Sequence, residues 1–154
     1  MIIPKPIYRR IEKKLRDRDV LVASAKARLM DAQRALAACG MPSTDAEPAG
    51  KNSHGNRTQR LAIAIAEAEE ELQKAQQWAD VLRLVDAAFP YPGTQEGEVA
   101  HWIYGCWDKI GQVCRIMHCD RETVQRRRDS YVVYAALIAA GKGLIDITKE
   151  QGRE

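Results

Sequence analysis

Apolar residues recur every seven positions in two long stretches of the chain. Leu15, Val22, Leu29 and Leu36 form one series, with Ile11, Ala25 and Ala32 filling the alternate seam. That spacing predicts a coiled-coil-like helix over 6–38, about 50 Å long at roughly 1.5 Å per residue. Leu61, Ala68, Ala75 and Leu82, interleaved with Ile65, Leu72 and Ala79, predict a second such helix reaching to about residue 88. Between them, 40–56 holds two Pro, three Gly and many small polar residues, the composition of a loop. Asn56 and Gln59 have capping-box spacing for the second helix. Two striped helices joined by one loop make an antiparallel hairpin over 1–89 the economical reading. The period alone does not separate a hairpin within one chain from a helix pairing between chains, so a homodimer stays open.

The pattern changes at Phe89-Pro90-Tyr91-Pro92-Gly93, where two prolines cannot continue a helix and bias the chain to an extended link over 90–93. Thr94 is placed to cap a short helix through Tyr104 that supplies Val99, Trp102 and Ile103 to a core. Then Ile110, Val113 and Met117 fall one turn apart, with the small Cys114 after the middle one. His118 occupies a turn position that needs a left-handed conformation, which His tolerates better than most residues. Cys119 gives the turn an apolar plug, Asp120 is placed to cap the next helix, and Val124 returns that helix to the core. This is the pattern of a helix-turn-helix. Its second helix continues through Tyr131, Val132, Val133, Tyr134, Ala135, Leu137 and Ile138 to a stop at Gly141-Lys142-Gly143, and a stretch so apolar all round must be buried. The predicted fold is all-α: a hairpin over 1–89, a helix-turn-helix domain over 94–145 and a polar tail over 146–154.

Side chains near the start of the second helix project away from its support, so Arg121, Glu122, Gln125 and Arg126 are the candidate base readers in a DNA major groove. Arg can donate twice to guanine, Gln can pair with adenine and Glu can accept from cytosine. Lys109, Thr123 and Arg128 are the candidate phosphate contacts, which fix position without reading sequence. Arg127 stands where the spacing from Val124 calls for an apolar residue, and is expected to snorkel over the domain edge.

The run Val113-Cys114 through Met117-His118 to Asp120-Arg121-Glu122-Thr123-Val124-Gln125-Arg126 resembles the DNA-binding end of the RinA/ArpU-like phage late-transcription regulators. That domain is in turn similar to the promoter-reading helix-turn-helix of sigma factors. The polar loop Asn52-Ser53-His54-Gly55-Asn56-Arg57-Thr58 opening onto a long helix, and an N-terminal helix beginning near Ile7, extend the likeness over most of the chain. Only the helix-turn-helix is specific. Arg127 in an apolar slot, His118 in the turn and the Ala-rich N-terminal half depart from the pattern. The resemblance implies an activator of late packaging and morphogenesis genes, working through promoter DNA with host RNA polymerase as a partner.

Composition narrows the picture further. In 154 residues there is a single Phe. Trp102, Tyr104, Trp107, Tyr131 and Tyr134 gather around the motif, while the stretch before Phe89 carries only Tyr8 and Trp78. The net charge of +3 is too small to prove a nucleic-acid partner, but it is unevenly spread. Lys5, Arg9, Arg10, Lys13, Lys14, Arg16 and Arg18 make the start basic; Glu67, Glu69, Glu70 and Glu71 make the middle acidic. Cys39, Cys106, Cys114 and Cys119 contain no CxxC pair, and two of them already fill the motif, so neither zinc nor disulfides are expected. No nucleophile, base and orienting group share a spacing that suggests catalysis, so the chain reads as a non-enzyme without cofactors. The opening Met-Ile-Ile-Pro-Lys-Pro lacks a secretory signal and no apolar run is long enough for a bilayer, which predicts a cytoplasmic protein. Two other readings fit the same pattern: a phage DNA-packaging recognition subunit of small-terminase type, and a helical protein-binding adaptor.

Overall fold

The computed structural model describes residues 2–39 and 51–149, and its regular structure is entirely helical, with no strand among the described residues. The elements are α1 (Lys5–Arg16), α2 (Leu21–Cys39), α3 (Lys51–Ala88), α4 (Gln95–Ala100), a π-helical turn (His101–Gly105), α5 (Ile110–Met117) and α6 (Arg121–Gly141). No described helix is long and apolar enough to cross a membrane.

The helix expected over 6–38 is two helices, separated by a turn at 17–20. Asp17 ends α1, its backbone N–H bonding to the carbonyl of Lys13. The seam position one turn after Leu15 is Arg18, not an apolar residue, and its guanidinium is drawn to the carboxylate of Asp86 near the end of α3. Aspartates on both sides of Arg18 also favour turns over helix interiors. At the other end of the expected loop, α3 begins at Lys51, so Asn56 lies inside the helix and does not cap it. The helix runs through Gly55, a residue tolerated in helix interiors at a cost of about 1 kcal/mol. Residues 40–50 of that loop lie outside the described residues.

The chain divides into two compact units, and the division is not the expected one at 89–94. Residues 20–76 form one unit; 1–19 and 77–154 form the other, so α1 belongs with the C-terminal helices. Within the first unit the expected stripes are the covered faces. Ala25 on α2 and Ala68 and Ala75 on α3 are buried, and Val22, Leu29, Leu36, Leu61, Ile65 and Leu72 are half-buried. Arg28 Nη1 and Glu71 Oε2, 2.9 Å apart, tie α2 to α3 at an exposed position where such a pair contributes little.

In the second unit Ile7, Ile11 and Leu15 give α1 one apolar face, repeated every four residues and fully buried. The end of α3 adds Trp78, Val81, Leu82 and Val85, and α4 with the π-turn adds Val99, Ala100, Ile103 and Tyr104. On α6 the buried set is Val124, Tyr131, Val132, Ala135, Ala136 and Ala139, against which α4, α1 and α5 pack. Each fully buried Val, Leu or Ile contributes roughly 1.5–3 kcal/mol. The expected all-round burial of α6 is only partial, because Tyr134 and Leu137 stay exposed.

Thr94 caps α4 as its position predicts, its hydroxyl oxygen accepting from the Gly97 amide at 3.1 Å. Gly97 itself cannot carry a side chain: a Cβ there would lie 2.4 Å from the carbonyl oxygen of Phe89. That close approach seats the start of α4 against the Phe89-Pro90 link.

Candidate nucleic-acid interface

Two short-range devices fix the start of α6. His118, which ends α5, has φ 53° and ψ 39°, the left-handed conformation that reverses the chain; Cys119 N–H then bonds back to the carbonyl of Cys114 at 3.2 Å. Asp120 follows in an extended conformation and accepts from the Thr123 amide at 2.6 Å. Hydrogen bonds from the Thr123 side chain and backbone hold the Asp120 carboxyl below its ordinary pKa, with the charges of Arg126 and Arg127 adding to the effect. Val113 and Val124, on either side of the turn, are fully buried and lock α5 to α6.

On this frame Arg121, Glu122 and Arg126 are exposed, and so is Lys109, the N-cap residue of α5. Arg121, Glu122, Gln125 and Arg126 line one open groove of about 760 Å³ along α6, with Asp129 and Val133 at its far end. The four candidate base readers therefore share a surface. Gln125 is less free than the other three: its Nε2 donates to Asp129 at 2.8 Å and its Oε1 accepts from Arg128 at 3.5 Å. Adenine would have to compete with both bonds.

Two of the three expected phosphate contacts are placed otherwise. Arg128 is turned into the protein, paired with Glu12 of α1, with only 14% and 12% of the two side chains exposed. Its Nε also donates to the Tyr104 hydroxyl at 3.2 Å, while that hydroxyl donates to Glu12 at 2.8 Å. Burial opposes the charge on Arg128, but Tyr104 and Glu12 outweigh it and raise its pKa above the ordinary value. A side chain so engaged links α1, the π-turn and α6, and it also borders a hollow lined by Arg16, Lys109 and Arg121. Thr123 is half-buried and its polar groups serve the Asp120 cap. Lys109 alone keeps the expected exposure.

Arg127, expected to snorkel, is half-buried and reaches the Cys119 sulfur at 3.4 Å, closing over the turn. Next to Arg128, Asp129 accepts from Tyr8 at 2.6 Å, so α1 is fastened to α6 by an ion pair and an adjacent phenol–carboxylate hydrogen bond. Residue patterns gave no sign of these, since each partner lies more than a hundred positions from the other. They also bring Arg16, at the end of α1, to the hollow that Lys109 and Arg121 line. The basic start of the chain was the signal that could have pointed to Arg16.

What the surface can do chemically is donate. Arg121 and Arg126 share the α6 groove with the exposed Glu122 carboxylate, next to the exposed Asp120 cap, and Arg16 and Lys109 join Arg121 in a second hollow. Among the described residues no group of three or more His, Cys, Asp or Glu side chains is placed to hold a metal ion. No protein-family model, curated protein or solved structure matches this chain.

Proposed function

We propose that the protein is a sequence-specific binder of double-stranded DNA and a transcriptional regulator, with α5, the His118 turn and α6 forming a helix-turn-helix. The observation that carries the reading is the exposed, shared placement of Arg121, Glu122 and Arg126 on the first turns of a helix fixed by the Asp120 cap. Those side chains have the donor and acceptor types that distinguish base pairs in the major groove, each good bidentate contact being worth about 1–3 kcal/mol. Lys109 and Arg16 flank them as phosphate contacts. We read α2 and α3 as an antiparallel hairpin, supported by their covered stripes and the Arg28–Glu71 pair. The likeness to phage late-transcription regulators extends the proposal to activation of late genes with host RNA polymerase.

Retention of source-genome fragments by the purified protein across a salt series tests the reading. One fragment held at physiological salt, and released by the Arg121→Ala/Arg126→Ala variant, is the expected result. Weak retention of every fragment, fading with salt and indifferent to the substitutions, would reduce the interaction to phosphate attraction and refute base reading.

A further inference from the structure

We propose that Trp107 is a stacking platform for an unpaired base in the DNA duplex that α6 engages, an inference that rests on the DNA-binding reading above. The side chain is 66% exposed, whereas Trp78 is buried and Trp102 half-buried. Its backbone has φ 61°. The position requires that conformation, because the helix ends there in a reversal: Cys106 N–H bonds to the carbonyl of His101 at 3.0 Å, and Asp108 N–H to that of Trp102 at 2.9 Å. Glycine or asparagine normally fills such a site, and a bulky residue with positive φ is a genuine outlier. The strained backbone here holds an indole out into solvent, where it contributes nothing to the core. Strain kept at an exposed position is a pointer to function.

The surroundings specify the partner. Trp107 shares a hollow of about 490 Å³ with Arg16, Lys109 and Arg121; Asp108 is the one carboxylate that lines it. Gly111, in the first turn of α5, also lines the hollow, and a Cβ built on it would meet nothing within 4 Å. No side chain caps that turn; the Gln112 amide is taken by the Lys109 carbonyl at 2.9 Å, which leaves the Ile110 and Gly111 amides for an anion. An aromatic face ringed by cations and free amides matches a nucleotide, with the base on the ring and its phosphates on the charges. Arg121 belongs both to this hollow and to the α6 groove, which makes the nucleotide part of the same duplex. Base faces inside a paired stack are covered by their neighbours, so the ring is served by a base displaced from it.

The experiment follows tryptophan emission and affinity for a short blunt duplex taken from the genome fragment that the protein retains, and for the same duplex carrying one unpaired adenine. The unpaired base should tighten binding and deepen the quenching, and Trp107→Ala should weaken that preferred complex by about 5- to 150-fold. Trp107→Phe, which keeps a flat ring, should retain most of the preference. Far-UV circular dichroism matched to the unsubstituted protein confirms that each variant is folded. A preference that survives Trp107→Ala, or no preference in the unsubstituted protein, overturns the proposal; if Arg121→Ala still weakens duplex binding, the DNA reading stands without it. Failure of the unsubstituted protein to bind either probe overturns both.

Discussion

The Glu12–Arg128 pair separates two accounts of α6 that differ in kind. If Arg128 held a phosphate, its removal would weaken DNA binding and leave the fold untouched. The structure predicts the reverse. Both side chains are close to nine-tenths buried, and Arg128→Ala would strand the Glu12 carboxylate with only the Tyr104 hydroxyl as partner. Removing one member of a buried pair typically costs about 3–5 kcal/mol. The remaining Tyr104 bond puts this case near the lower end, about 3 kcal/mol. That is a large share of a total stability of roughly 5–15 kcal/mol. At an m-value of about 1.5 kcal/mol/M it lowers the urea midpoint by about 2 M. Replacing both partners by apolar residues of similar size, Glu12→Leu/Arg128→Met, should recover part of the loss: the desolvation cost of both charges disappears, while the buried Tyr104 hydroxyl loses both partners at a cost of about 1–3 kcal/mol. Urea unfolding by circular dichroism reads all three values. The double variant should also keep the salt dependence of DNA binding, whereas losing a phosphate contact would reduce its slope by about 1. A single variant that unfolds within about 1 kcal/mol of the parent, and a double variant with the shallower slope, would together refute the assignment.

Other consequences follow from single sites. Gly97→Ala places a Cβ against two backbone carbonyls, which cannot yield as a side chain does, and should destabilise by more than about 1 kcal/mol in the same urea assay. Asp120→Ala removes the α6 cap and should destabilise the protein in the same assay, with duplex affinity falling more than helix content. In the parent, the stabilisation from Asp120 is present above the ordinary carboxylate pKa and is lost as pH falls through its depressed value; an acid titration of Asp120→Ala should therefore converge on the parent curve at the low end. At the alkaline end, burial first and then hydrogen bonds to Asp129, Glu12 and Asp86 raise the pKa of Tyr8, Tyr104 and Tyr131. Their folded forms keep the proton, so stability is intact below about pH 10 and falls as pH rises past it. Phenolate absorbance from these three should appear together with loss of helical dichroism; ionisation in the still-folded protein would contradict their burial.

Local rules reached furthest where the physics is local. Thr94, His118 and Asp120 act within three or four residues, and each takes the role its position predicts. The stripes of α2 and α3 were also legible, because seven-residue spacing is a property of the segment alone. The break at 17–20 was visible only as an arginine at a seam position, whose meaning depends on Asp86. The register near the end of α3 brings in Trp78, Val81 and Val85 beyond the expected Ala79 and Leu82, because from Gln77 the helix serves a different core. Arg128 is the instructive failure. Its spacing from Arg121 and its charge suit a phosphate, and nothing near it in sequence reveals that Glu12 and Tyr104 claim it first.

The union of α1 with α6 also sets an order of events during synthesis. Tyr8 and Glu12 leave the ribosome more than a hundred residues ahead of Asp129 and Arg128, the groups they bind. Until then Ile7, Ile11 and Leu15 have no α6 to cover them, and a nascent chain bearing that apolar stripe is a substrate for chaperones and for misassociation. Contacts of such long sequence separation also slow folding, because the loop must close before they give any return. A fragment beginning at residue 94 would contain the whole of the reading helix and yet lack the helix that anchors it.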